Sequence, residues 1–216
     1  MAWWRRWLNW DSALDRYGVA VGYATGLGLA TVALQAQSAP VRARWLEWAS
    51  TNLANAPHHP IGALVVSAFL TEGDVLGWLA LSLVALGCLG YVLGAWRTAV
   101  LVAAAHIIGT VLSEGILAYR IGTGALPDSY RYIRDVGPSY VVVGALVAGI
   151  GYGRWPGRLL CAGGFVILAP SLFGGLFQLE VSAVGHVGAI LVAVPLGGLL
   201  RRARRRSHQR GAGPPG

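Results

Sequence analysis

The sequence predicts an all-α membrane protein, a bundle of six transmembrane helices with both termini in the cytoplasm. Three observations lead to this prediction. Of the 216 residues, 55% are hydrophobic and 12% are charged, whereas soluble domains carry about 25% charged residues. Six apolar runs approach the roughly 20 residues that a helix needs to cross a bilayer. The arginines are also distributed unevenly between the two ends of these runs.

Residues 1–17 predict a cytoplasmic segment that lies at the membrane interface. Trp3, Trp7 and Trp10 recur at i, i+4 and i+7, which places three indoles on one helical face. The first apolar run, 18–37, is predicted to be a signal anchor. The alternative is a cleaved signal peptide, since QAQSA offers small residues for cleavage, but the length of the run favours the anchor.

The remaining runs complete a predicted membrane domain over 18–200. They are 76–94, 98–118, 136–153, 158–177 and 182–200. GAWRT and GRWPGR predict two tight turns between neighbouring spans, and HPIGALVVSAFLTEGD in the long loop 38–75 is too short to span the membrane. The basic tail 201–216 is predicted to be disordered.

The net charge is +8, and every basic residue is arginine. With six spans, twelve arginines fall on the side of the termini and five on the other, so the positive-inside rule places both termini in the cytoplasm. Six arginines of the tail follow an apolar run, which favours contact with anionic membrane lipids over nucleic acid. Cys88 and Cys161 lie in apolar runs without metal-ligand spacing, so we expect no disulfide, metal or cofactor.

Ionisable residues inside spans are costly and are therefore candidates for function. Ser139, His186 and Glu114 each lie roughly 5–6 Å below the outer end of their predicted spans, at ~1.5 Å per residue. A serine and a histidine at one depth are the minimum for an activated nucleophile, because the imidazole can take the hydroxyl proton. The alternative is structural: Ser139 starts a helix and His186 hydrogen-bonds between helices.

A second polar feature follows the third span. His106, Thr110 and Glu114 recur at i, i+4 and i+8, with Ser113 beside them, and this stripe must face protein or water rather than lipid. It leaves a transporter or channel as a further class, which the absence of an inverted repeat disfavours. Before the fourth span, Asp135 is predicted to cap the helix and Pro138 to lie in its first turn.

The order of these features resembles the rhomboid family of intramembrane serine proteases. HPIGALVVSAFLTEGD resembles the segment before the family's second span, GPSY (137–140) falls at its G-x-S-G motif, and GHVGAILVAVPLG (185–197) falls at its sixth-span histidine. TNLANAPHHP and DVGPSY are similar to rhomboid-like membrane proteins of actinobacteria. The resemblance covers about 57–200 and implies a bacterial plasma-membrane protein with a rhomboid-like six-helix bundle.

The resemblance implies a catalytic dyad of Ser139 and His186 that cleaves transmembrane helices of other membrane proteins. Gly137 matches the first glycine of the motif, but Tyr140 replaces the second. The stretch 73–81 lacks the histidine and asparagine that supply oxyanion donors in the family, and His106, Thr110 or Asn52 are the candidates to replace them. The alternative is a proteolytically inactive rhomboid-like protein that binds transmembrane helices or lipids. The sequence does not predict an oligomeric state.

Overall fold

The computed structural model describes residues 10–211, and the regular elements within this range are helical. Eight α-helices follow one another along the described chain. They are α1 (Trp10–Gln35), α2 (Ala39–Ala49), α3 (Pro60–Ser67), α4 (Val75–Leu93), α5 (Ala95–Gly122), α6 (Ser139–Tyr152), α7 (Trp155–Phe173) and α8 (Val181–Gly211). Short 3-10 turns, Asp128–Tyr132 and Leu176–Gln178, precede α6 and α8.

Five of the described helices, α1, α4, α5, α7 and α8, are long and apolar enough to cross a membrane. The chain is therefore a multi-pass membrane protein. The predicted run 136–153 forms α6, which has only 14 residues and a length of roughly 21 Å at 1.5 Å per residue. A bilayer core is about 30 Å thick, so α6 differs from the other predicted spans.

The short helix α6 lies at the centre of the bundle. Nine of its residues are buried, and it packs against α4, α5, α7 and α8. A helix that is apolar on all sides is typical of such a central position. Because its neighbours rather than lipid surround it, α6 need not match the bilayer thickness, and its first turn lies inside the bundle.

Glycines allow the helices to approach one another and to turn sharply. A Cβ atom added at Gly144 of α6 would lie 2.6 Å from the Ala105 Cβ of α5, which is closer than packed carbon atoms come. Gly94, at φ +82°, joins α4 directly to α5. The tight turn predicted at GAWRT is thus confirmed, and the α6–α7 turn at GRWPGR is also short, with Gly153 and Arg154 between the helices.

The beginning of α1 and the end of α8 meet at one end of the bundle. One carboxylate oxygen of Asp15 lies 3.0 Å from Arg204, and the other accepts a hydrogen bond from the Ala95 amide at 3.1 Å. Helix α8 continues to Gly211 and so includes much of the segment 201–216 that was predicted to be disordered. Arginine is a good helix former, and the contact with Asp15 holds this extension. Residues 1–9, with Trp3 and Trp7, lie outside the described range.

The loop predicted over 38–75 contains two short helices, α2 and α3. Both have a proline at their first or second position, where its missing N–H costs nothing. The eight residues of α3 are too few to span a bilayer, as the sequence predicted. Leu34, Leu46, Ala49 and Leu70 form a small apolar core that holds α2 against the end of α1.

Candidate functional site

Tyr140, in the first turn of α6, is the centre of the candidate site. It is 2% exposed, and its ring centroid lies 5.1 Å from that of His186, edge to face, and 6.0 Å from that of His106. The phenol donates a hydrogen bond to an Asp135 carboxylate oxygen at 3.0 Å. Tyr140 therefore links α5, α6 and α8 through one side chain.

Two glycines form the slot that holds the Tyr140 ring. A Cβ atom at Gly185 would lie 2.2 Å from the phenol, and one at Gly109 would lie 3.4 Å from the ring and 2.8 Å from the Gly185 carbonyl oxygen. Tyr140 excludes a side chain at Gly185, whereas at Gly109 the Gly185 carbonyl oxygen excludes one. The residue that departs from the family's motif is thus accommodated by the glycine immediately before the predicted catalytic histidine.

His186 is held in one orientation and, in its neutral form, as one tautomer. It is 4% exposed, and its Nδ1 lies 2.9 Å from the Leu172 carbonyl oxygen of α7. Because a carbonyl oxygen only accepts, Nδ1 carries the proton and Nε2 has a free lone pair. This Nε2 is buried and has no hydrogen-bond partner among residues 10–211. The backbone therefore fixes the ring through Nδ1 and leaves Nε2 as the nitrogen that can accept a proton.

Ser139 begins α6 and is half-buried. It forms no hydrogen bond with His186, because Nδ1 is bound to Leu172 and Nε2 has no partner in the described chain. Successive side chains on a helix point about 100° apart. Since Tyr140 points at His186, Ser139 points to a different side of α6. The structure therefore brings His106, Tyr140 and His186 together and leaves the serine beside the cluster.

The polar stripe of α5 faces the interior, as its spacing predicted. His106, Thr110, Ser113 and Glu114 are all buried. His106 Nε2 lies 2.8 Å from the Leu64 carbonyl oxygen of α3, so it carries a proton and Nδ1 is the free nitrogen. That Nδ1, Thr110 Oγ1 and both carboxylate oxygens of Glu114 lack partners within residues 10–211. The Leu53 amide approaches Glu114 without forming a well-aligned hydrogen bond.

Several buried polar atoms of the α5 stripe, together with His186 Nε2, have no hydrogen-bond partner within residues 10–211. Unsatisfied buried groups are rare in native proteins, so each of them is a candidate for a functional role. These atoms belong to α5 and α8, the two helices that contact Tyr140 on either side.

Asp135 does not cap α6, contrary to the sequence prediction. Pro138 is the N-cap residue, and no side-chain cap bond forms. Pro138 therefore precedes the first helical turn rather than lying in it. The Asp135 carboxylate instead accepts from Tyr140 and, at 3.3 Å, from the Thr51 hydroxyl. Burial raises the pKa of Asp135, and these two hydrogen bonds partly oppose the effect. The Gly-Pro turn between Asp135 and Tyr140 brings the two side chains together, a pairing that sequence spacing alone did not indicate.

The candidate oxyanion donors differ in which of their polar atoms already form hydrogen bonds. Asn52 is buried, and its side-chain oxygen accepts from the Asn55 amide at 3.0 Å within its own turn. Thr110 retains a free hydroxyl, whereas the His106 N–H is taken by Leu64. Gly137 is anchored by its amide to the Ser67 carbonyl oxygen at 3.1 Å. Thr110 and the side-chain N–H groups of Asn52 therefore remain as candidate donors, whereas His106 does not.

The family model described as rhomboid-like protein matches residues 18–207. The chain belongs to the rhomboid-like protein family. The match includes α4 to α7 entire, most of α1 and α8 up to Ser207, so the family resemblance of the GPSY and GHVG segments extends to nearly the whole bundle. The comparisons with curated proteins and with solved structures give no match.

Proposed function

We propose that this rhomboid-like protein is an intramembrane serine endopeptidase that cleaves transmembrane helices of other membrane proteins. The observation that carries the proposal is His186, whose Nδ1–H is bound to Leu172 while its buried Nε2 keeps a free lone pair. An unpaired buried nitrogen costs about 1–3 kcal/mol. Such a cost is typical of a group held ready for a reaction.

Ser139 is the proposed nucleophile. Its oxygen attacks the carbonyl carbon of the scissile peptide bond while His186 Nε2 takes the hydroxyl proton. His186 then returns that proton to the departing amine, and an acyl group remains on the serine oxygen. Water, deprotonated by the same nitrogen, releases the acyl group as a carboxylic acid and restores the serine.

The other residues of the site support this chemistry without reacting. The Leu172 carbonyl fixes the tautomer of His186, and the Tyr140 ring edge holds the imidazole against rotation. Thr110 is the proposed donor to the oxyanion, and Glu114 helps to retain water. Ser139 is free to turn toward Nε2, because no hydrogen bond within the described residues holds its hydroxyl in the observed position.

The test is labelling of the purified, folded protein with a fluorescent fluorophosphonate. We expect labelling that Ser139→Ala abolishes and His186→Ala slows by roughly 10²–10⁴-fold, the usual contribution of a general base. Ser182→Ala is the matched control, since Ser182 is an exposed serine in the first turn of α8, and it should label like the wild type. Folded protein that does not label, or that labels without Ser139, would refute the proposal.

A second candidate function is favoured by Tyr140, whose ring occupies the side of His186 where the family has only a glycine. In that case the protein binds transmembrane helices or lipids without cutting them. A cellular phenotype that is lost on deletion and restored by the Ser139→Ala variant would support this function. Restoration only by chains that keep the hydroxyl would exclude it.

A further inference from the structure

Two adjoining cavities lie where the end of α1 meets α2 and the loop after α3. The first, which we call the polar pocket, measures about 610 Å³ and includes Gln35, Arg42, Thr71, Glu72 and Arg134 in its lining. The second, the apolar groove, measures about 260 Å³ and includes Ala30, Ala33, Trp45, Val66 and Leu70. Leu34 lines both, so the polar and apolar spaces are neighbours.

The polar pocket carries one uncompensated positive charge. Arg134 pairs with Glu72, but the guanidinium of half-buried Arg42 has no ion pair or hydrogen bond within the part of the chain that the structure describes. A guanidinium presents a planar fork of N–H donors that matches a phosphate. The ligand chemistry that this pocket favours is therefore a singly charged phosphate ester.

The position of the cavities matches the two parts of a lipid. Leu34 and Gln35 are the last residues of the spanning helix α1, so the polar pocket lies at the end of that span. Ala33 directly precedes Leu34, and Ala30 lies about one turn earlier, further into the span. Trp45, half-exposed beside the groove, is of the residue type that is enriched at the membrane interface.

We propose that the polar pocket and the apolar groove together bind one anionic phospholipid. Its phosphate lies on Arg42 and one acyl chain lies in the groove. The lipid site is separate from the cluster around Tyr140 and does not depend on proteolysis.

Native mass spectrometry of the full-length, detergent-solubilised protein tests the proposal, with phosphatidylglycerol and phosphatidylcholine as the probes. We expect phosphatidylglycerol to be retained and phosphatidylcholine to be lost first. Arg42→Gln should weaken retention of phosphatidylglycerol roughly tenfold, the loss expected for one charged hydrogen-bonding partner. Ala33→Phe should weaken both lipids, since it fills the groove.

Arg44→Gln is the matched control, because Arg44 lies on the same helix but lines a different cleft, and it should retain phosphatidylglycerol within about twofold of wild type. Equal losses for the Arg42 and Arg44 variants would overturn the proposal in favour of unspecific charge attraction. Equal retention of phosphatidylcholine, or full retention by a folded Ala33→Phe variant, would overturn it as well. None of these outcomes depends on whether Ser139 reacts with a fluorophosphonate, so the two proposals are tested separately.

Discussion

At the residue scale, Tyr140 makes two contacts that define the candidate site, one with Asp135 and one with His186. Its phenol donates a hydrogen bond to half-buried Asp135, and its ring packs edge to face with the ring of His186. Tyrosine in place of the family's glycine needs room for a ring, and Gly185 leaves that room beside His186. Ser139, predicted from depth alone to meet His186, diverges because depth does not fix the direction of a side chain around its helix.

Tyr140→Phe should destabilise the protein by about 1.5–3 kcal/mol, the usual value of a hydrogen bond to a charged group. The ring would remain against His186, but Asp135 would keep only its bond from Thr51. The measurement is thermal unfolding in detergent, with Tyr130→Phe as control, since Tyr130 is exposed. An unchanged melting temperature would show that the Tyr140 hydroxyl contributes nothing.

The raised pKa of Asp135 predicts how stability varies with pH. A raised pKa means that the folded protein favours the protonated carboxyl. The contribution of Asp135 to the free energy of unfolding is therefore fully present below its ordinary pKa of 3.8, and it declines as pH rises toward the raised pKa. Asp135→Asn, which keeps a side-chain oxygen acceptor, should reduce this decline. Melting temperatures of both proteins from pH 4 upward measure it. Parallel pH curves would contradict the assignment.

At the element scale, the sequence predicted the positions of the membrane helices better than the nature of α6. Long apolar runs identify helices that face lipid, because their length must match the bilayer. Helix α6 is short and is flanked by Pro138 and Gly153. It is enclosed by α4, α5, α7 and α8. Hydropathy alone does not distinguish such a buried helix from a span. The tail was predicted to be disordered because its end is rich in Gly and Pro, and no sequence pattern pairs Arg204 with distant Asp15.

The close packing of α5, α6 and α8 predicts a large effect at Gly185. Gly185→Ala should destabilise by about 1–3 kcal/mol, the usual cost of overpacking, because its Cβ would lie 2.2 Å from the Tyr140 phenol. Gly115→Ala on α5 is the control, since nothing lies within 4 Å of its added Cβ. Thermal unfolding of both variants measures the difference. Equal melting temperatures would mean that the slot adapts without cost.

At the scale of the whole molecule, the bundle is fastened at the end where its first and last helices meet. Asp15 links α1 to the α8 extension through Arg204 and to the start of α5 through the Ala95 amide. Asp15→Asn should lower stability by about 1 kcal/mol. Asp128→Asn, which breaks the exposed pair with Arg131, should have a smaller effect. If unfolding measurements give the reverse order, this contact is not what fastens the bundle.

The central claim is that Ser139 and His186 act together in a rhomboid-like fold. The most direct test is an experimental structure of the full chain in a lipid nanodisc after treatment with a fluorophosphonate. We predict a covalent bond from Ser139 Oγ to phosphorus, with His186 Nε2 within about 3.2 Å of the adduct. An unmodified Ser139 in a folded protein, still turned away from a His186 covered by Tyr140, would contradict the account.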